Sequence, residues 1–186
     1  MNVFVSRPTS VGPEFESAYS VFHQHLLSLG FALRRLGGGD YSKKPPLRAV
    51  IDLLSECCGA LVLGYPQSEF QHQARRSANL TNNFRCVYPT PWNQIEGALA
   101  YAHGTPVLVV AHPGIDGGVF DHGITGEGVV HIGLDEPRWF EKPQFDQPFQ
   151  EWAAEVQECS IKRARTAQQG DAAGGPKRPA AVGQSR

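Results

Sequence analysis

Apolar positions follow two rhythms along this chain. Asn2–Ser6 (NVFVS) is a short unbroken apolar run stopped by Arg7 and Pro8. It is too short to make two helical turns and predicts a buried first strand. After Gly12-Pro13, apolar residues recur at helical spacing through Phe15, Tyr19, Phe22, Leu26 and Leu29, until Gly30 closes the stripe. Residues 31–36 predict a second strand. Leu47, Val50, Ile51 and Leu54 predict a second amphipathic helix, and GALVLGY at 59–65 a central strand apolar on both faces. Residues 66–89 are polar and break the rhythm; they read as a short helix followed by an edge strand at 84–88. Residues 92–103 then predict a helix, 105–111 a strand, 113–128 a glycine-rich loop and 129–134 a last strand. Phe149, Trp152 and Val156 mark a closing helix.

Strands separated by single helices call for crossover connections, hence a parallel sheet. The expected fold is α/β: a flavodoxin-like, doubly wound parallel sheet of about five strands with helices on both faces. Residues 1–165 form one domain in this reading. Residues 166–186 hold a single valine as their only large apolar residue and are expected to be a disordered tail. Ligands of such sheets bind beyond the carboxyl ends of the strands, near the point where strand order reverses. Those ends carry Ser6, Arg7, Tyr65, the lead-in to the helix at 92–103, and His112.

Composition narrows the partners. With 41% hydrophobic and 19% charged residues the chain has enough apolar material for a core, and a net charge of −1 gives no drive toward nucleic acid or anionic lipid. No apolar run is long enough to span a membrane. Cysteines at 57, 58, 86 and 159 show neither CxxC spacing nor scaffold density, so they are expected to be reduced. The start MNVFVSRP lacks a basic, apolar leader, and a cytoplasmic location is the expectation.

The chemistry concentrates at 90–110, TPWNQIEGALAYAHGTPVLVV. Thr90 suits an N-cap and Pro91 the first helical position, and helical spacing then puts Trp92 and Glu96 on one face. A carboxylate beside an aromatic wall can be partly desolvated and can accept hydrogen bonds from sugar hydroxyls. Loss of a base from ribose passes through an oxocarbenium-like state that such a group stabilises or captures. The plainer readings are an exposed helix glutamate and a core tryptophan. Ser6, Arg7, Tyr65 and Trp92 are the candidate substrate-binding residues, with Glu96 catalytic. Gly37, Gly38, Gly39 and Asp40 open a loop that ends stiffly at Pro45-Pro46 and could gate the site. His112, Asp116, Asp121, His122 and His131 fit no metal-ligand spacing, and no metal is expected. No GxGxxG or GxxxxGK(S/T) follows the first strand.

The run Thr-x-Trp-x-x-x-Glu, followed by a small-residue helix and Gly104-Thr105-Pro106-Val107, resembles the catalytic helix and following strand of Toll/interleukin receptor (TIR) domains. NVFVSRP is similar to the first strand of that family, and residues 37–46 fall where its mobile loop lies. The resemblance covers residues 1–160 and is sharp only in the Trp92-to-Glu96 spacing. It implies that Glu96 engages the nicotinamide ribose of NAD, which is substrate rather than cofactor, and that the glycosidic bond is hydrolysed or cyclised. It also implies a homo-oligomer that moves the loop and completes the site. Gly97, Ala100, Ala102, Gly104, Pro106 and Val107 are similar as well to a run in nucleoside 2-deoxyribosyltransferases. That family usually places an aspartate shortly before its glutamate, and this chain has no acid between Arg85 and Glu96. The alternatives to an NAD glycohydrolase are therefore a nucleoside or nucleotide N-glycosidase or deoxyribosyltransferase, and a non-catalytic interaction module. The connection at 66–91 is longer than a TIR domain needs.

Overall fold

Of the runs that the sequence marks as strands, all but the one at 84–88 join one all-parallel sheet. The structure, a computed structural model, describes residues 1–37, 44–75, 81–126 and 128–173. In chain order the elements are β1 (Asn2–Ser6), α1 (Pro13–Ser28), β2 (Ala32–Arg34), α2 (Pro46–Ser55), β3 (Gly59–Gly64), β4 (Ser68–Arg75), β5 (Thr81–Tyr88), α3 (Pro91–Ala102), β6 (Val107–Ala111), β7 (Val129–His131) and α4 (Pro143–Ala173). The parallel sheet runs β2-β1-β3-β6-β7, so strand order reverses between β1 and β3. That is the doubly wound, flavodoxin-like order expected, with its crevice at the carboxyl ends of those two strands.

Strand alternation divides the sheet into two packed faces. Val3, Val5, Leu61, Leu63, Leu108, Val110 and Val130 face a core shared with Ala18, Phe22 and Leu26 of α1 and Phe145, Phe149, Trp152 and Val156 of α4. Phe22 anchors it, its ring 4.5 Å from Trp139 and 5.7 Å from Phe145. On the other face Phe4 and Ala60 meet Val50 and Leu54 of α2 and Ala100 of α3. Val62, Val109, Ala111 and Val129 there pack on Ile115, Val119 and Phe120. Burying one such Leu, Val or Phe side chain contributes about 1.5–3 kcal/mol, and β1 and β3 do so on both sides. That is why they read as continuous apolar runs. At Gly59 an added Cβ would stand 2.4 Å from Val156 Cγ2, and at Gly64 2.6 Å from the Phe120 ring. Glycine at both ends of β3 thus lets the two layers approach it closely.

Two expectations are corrected. The start of 66–89 is not a short helix: β4 pairs with β5 as an antiparallel two-stranded sheet, from Ser68↔Tyr88 to Arg75↔Thr81. The physical reason lies in SEFQHQAR, where Phe70, His72 and Ala74 recur at period two rather than at helical spacing. The hairpin returns to the domain through Gln67 N–H donating to the Tyr88 carbonyl at 3.0 Å and through a bridge of Val87 with Ile115. Further on, α4 continues through 166–173, the start of the expected tail, while 174–186 lie outside the described residues. Among the described residues no helix is long and apolar enough to cross a membrane.

Candidate active site at the carboxyl ends of β1 and β3

The reversal point is filled by the first turns of α3. Thr90 caps the helix, its Oγ1 accepting from Asn93 N–H at 3.2 Å and donating to Asn93 Oδ1 at 2.8 Å. Pro91 occupies the first turn, where its missing N–H is no loss. Asn93, Glu96, Gly97 and Ala100 form the buried stripe of α3. They are polar or small, so the helix sits close to β1 and β3; a Cβ at Gly97 would lie 3.2 Å from Val119. Gln94 fixes the same approach from the side. Its Nε2 donates to the Gly117 carbonyl at 2.9 Å, and its Oε1 accepts from Val119 N–H at 3.0 Å.

A polar relay runs from this cap to Glu96. Asn93 Nδ2 donates to Ser6 Oγ at 3.0 Å and to the Leu63 carbonyl at 3.4 Å. A carbonyl only accepts, so this contact sets the orientation of the amide. With its oxygen accepting from Asn93, Ser6 has its own proton free to turn toward the neighbouring Glu96 carboxyl, whose pKa it lowers. Ser6 is fully buried and Glu96 9% exposed. Burial raises the Glu96 pKa above its ordinary 4.5, and the Ser6 hydrogen bond opposes part of that rise. The result is a carboxyl group held in one place, partly desolvated, at the crevice the topology creates.

The other expected site residues divide. Arg7 follows Ser6 in the strand rhythm and so turns to the α1 face, with Val5, while Ser6 shares the face of Phe4. Its guanidinium lies 4.0 Å over the Tyr19 ring, bonds Glu16 Oε2 at 2.6 Å and donates from Nε to the Pro8 carbonyl at 3.1 Å. Tyr65 is on that face too, fully buried, 5.6 Å from Phe15 and 5.8 Å from the Arg7 guanidinium. Burial raises its phenol pKa strongly, and its hydroxyl has no hydrogen-bond partner among the described residues. The sheet therefore separates Arg7 and Tyr65 from Ser6 and Glu96.

Trp92 is 43% exposed, with no ring contact or hydrogen bond among the described residues. The buried place one turn before Glu96 belongs to Asn93. Sequence reading missed it because it followed large apolar residues. The spacing 93, 96, 97, 100 was the available signal, a helix face of small and polar residues. Gly37 lies in the left-handed region at φ 93°, with open space where a Cβ would stand. Gly38, Gly39 and Asp40 lie outside the described residues.

His112 accepts at Nδ1 from Leu134 N–H at 3.3 Å, and Asp135 Oδ1 is 3.6 Å from the same nitrogen. An accepting Nδ1 carries no proton, which agrees with burial lowering the His112 pKa despite Asp135. Asp121 binds the Gly117 N–H, and His131 Nε2 meets the Ile115 carbonyl. Among the described residues no three His, Cys, Asp or Glu side chains gather as metal ligands.

Among the described residues, cavities near this end include one of about 460 Å³ between Pro66–Glu69, Val87 and His112–Gly114, and one of about 560 Å³ beside Arg7 and Tyr19. Neither has Glu96 on its wall. A third, of about 420 Å³ around Thr105, Pro106 and Trp152, is at the amino end of β6, away from the relay. Compared with known proteins, no family model matches the chain, and no curated protein or solved structure matches it either.

Proposed function

We propose that the chain is an NAD glycohydrolase, cleaving the nicotinamide–ribose bond by hydrolysis or cyclisation, with Glu96 as the catalytic carboxylate. One observation carries this reading: a partly desolvated carboxyl group, tethered through Ser6 and Asn93, stands at the strand-order reversal of a doubly wound sheet. A carboxylate in that setting has electrostatic strength that water would screen, and it faces developing positive charge on the ribose as the base departs. It can accept hydrogen bonds from the ribose hydroxyls in the ground state and stabilise or capture the oxocarbenium-like carbon in the transition state. The similarity of the Thr90-to-Glu96 run to TIR domains supports nicotinamide as the leaving group, because that base leaves without being protonated first. No acid has to be found opposite Glu96.

Self-association completes the proposal. The described residues around Glu96 offer Ser6 and Asn93, while the cation and aromatics that could hold the rest of a dinucleotide face α1. A second copy would supply the missing wall, and the loop that begins at Gly37 would move with assembly. The interaction-module reading draws on a different observation, the exposure of Trp92 and Ile95 on the outer side of α3. Incubating the purified protein with NAD and with a panel of nucleosides, and following freed base by chromatography, separates these readings. Nicotinamide release supports the first, release from nucleosides alone moves the reading to an N-glycosidase or deoxyribosyltransferase, and no release from either leaves the interaction module. Turnover per molecule is expected to rise with protein concentration across a dilution series followed by light scattering.

A further inference from the structure

On the α1 face, a cavity of about 560 Å³ opens between α1, β1 and the residues that follow β2. Arg7, Glu16, Tyr19, His23 and Arg35 stand on its wall. Among the described residues, two guanidiniums and an imidazole thus meet there against a single carboxylate. The two cations differ in a useful way. Arg7 is fixed, its side chain 1% exposed and clamped over Tyr19, whereas its partner Glu16 is 54% exposed and free to rotate into water. Arg35 is exposed and has no acidic partner among the described residues, although the adjacent Arg34 is paired with Glu56 at 3.1 Å. Arg7 and Arg35 line the same cavity as Tyr19, and both charges oppose the rise that burial causes in the Tyr19 phenol pKa. The Tyr19 and His23 rings stand beside them, centroids 5.8 Å apart and tilted by 35°.

Chemistry selects the ligand. Guanidinium groups recognise phosphate and carboxylate oxygens through parallel N–H donors, and a dianionic phosphate monoester matches two of them. A volume of this size accommodates a small organic molecule. We propose that this cavity binds a phosphomonoester of nucleoside monophosphate size, its phosphoryl group between Arg7 and Arg35 with Glu16 displaced, and its flat ring against Tyr19 and His23. The site is on the opposite face of the sheet from Glu96 and does not rest on the glycohydrolase reading.

The test is calorimetric titration of the full chain with adenosine monophosphate, ribose 5-phosphate, inorganic phosphate and adenosine, at low and high salt. Adenosine monophosphate is expected to bind saturably at one site, ribose 5-phosphate and phosphate more weakly, and adenosine not measurably, with affinity falling as salt rises. Arg35→Ala should weaken binding by about tenfold or more, and Glu16→Gln should tighten it by removing the competing charge. Both side chains are exposed, glutamine keeps an oxygen that can accept from Arg7, and circular dichroism checks that each variant is folded. Glu96→Gln should leave binding unchanged whether or not the chain cleaves NAD. Equal binding of adenosine and its monophosphate would overturn the proposal. So would unchanged affinity in Arg35→Ala, weaker binding in Glu16→Gln, loss of binding in Glu96→Gln, or no saturable binding.

Discussion

The two faces of the sheet meet at the carboxyl ends of β1 and β3, and they solve the burial of polar groups in opposite ways. Toward α3, a threonine, an asparagine and a serine are joined in one hydrogen-bonded relay, and the serine hydroxyl acts on the buried Glu96 carboxyl beside it. Toward α1, a buried cation is held by aromatic faces and one exposed carboxylate, while the hydroxyl of Tyr65 has no partner among the described residues. A relay fixes the position of a charge to a fraction of an ångström, whereas an aromatic clamp around an arginine tolerates a change of partner. The first arrangement suits chemistry on a bond, the second suits recognition of an anion. The largest expected effect tests that division: Glu96→Gln should lower base release by about 10²–10⁴-fold while leaving the far-UV spectrum unchanged. Wild-type turnover in that variant would remove Glu96 from the chemistry and the relay from the site.

How much of this was legible in the sequence follows the same division. The inner strands β1, β3 and β6 were readable because burial on both faces leaves them almost wholly apolar, and α1 and α2 because their stripes recur at helical period. The position of Glu96 was readable because Thr90-Pro91 marks the start of the helix that carries it. Asn93 was hidden because the face of α3 that packs on the sheet is built from Asn93, Glu96, Gly97 and Ala100, which hydrophobicity does not mark. The separation of Arg7 from Ser6 was present in the sequence, since consecutive strand residues point oppositely, although both stand at the carboxyl end of β1. Of the hairpin, the end of β5 was readable as the strand expected at 84–88, whereas β4 was opaque because it pairs only within its own two-stranded sheet and carries no apolar run.

Asn93→Ala should have the largest effect on stability along the relay. It strips the Ser6 hydroxyl and the Leu63 carbonyl of a donor in a buried place, at a cost of roughly 1–3 kcal/mol, readable from the urea midpoint. Activity should fall as well, because Ser6 would no longer be held with its proton toward Glu96. A variant with unchanged stability would show that the amide is dispensable and that the two faces differ less than their hydrogen bonds imply.

The pH dependence sharpens the comparison further. The folded pKa of Glu96 is raised, so the folded state holds a proton that the unfolded chain has released over the interval from about 4.5 up to the raised value. The contribution to stability is full below that interval and is lost as pH rises through the folded pKa, whereas activity, which needs the carboxylate, rises over the same range. Glu96→Gln should therefore match the wild type in melting temperature at low pH and equal or exceed it at neutral pH. Ser6→Ala removes the bond that opposes the rise and should move the acid limb of the rate profile to higher pH. An acid limb that stays in place would mean that the hydroxyl does not act on the carboxylate.

Tyr65→Phe is expected to have the smallest effect, and its sign is the informative part. Tyr65 is completely buried against Phe15 and near Arg7, and its ring supplies the packing while its hydroxyl has no partner among the described residues. An unpartnered hydroxyl in an apolar place has lost its hydrogen bonds to water without replacement, so removing the oxygen should stabilise the fold by up to about 1 kcal/mol. The ring and its edge contact with Phe15 remain, and no cavity larger than one oxygen atom is made. Base release should be unchanged, because the sheet lies between this side chain and Glu96. Equilibrium unfolding in urea measures the sign, and the same preparation gives the turnover. A loss of 1 kcal/mol or more by the usual hydrogen-bond scale would mean that the hydroxyl is satisfied after all. A loss of turnover at full stability would mean that the two faces act on one substrate, and the division drawn between them would fall.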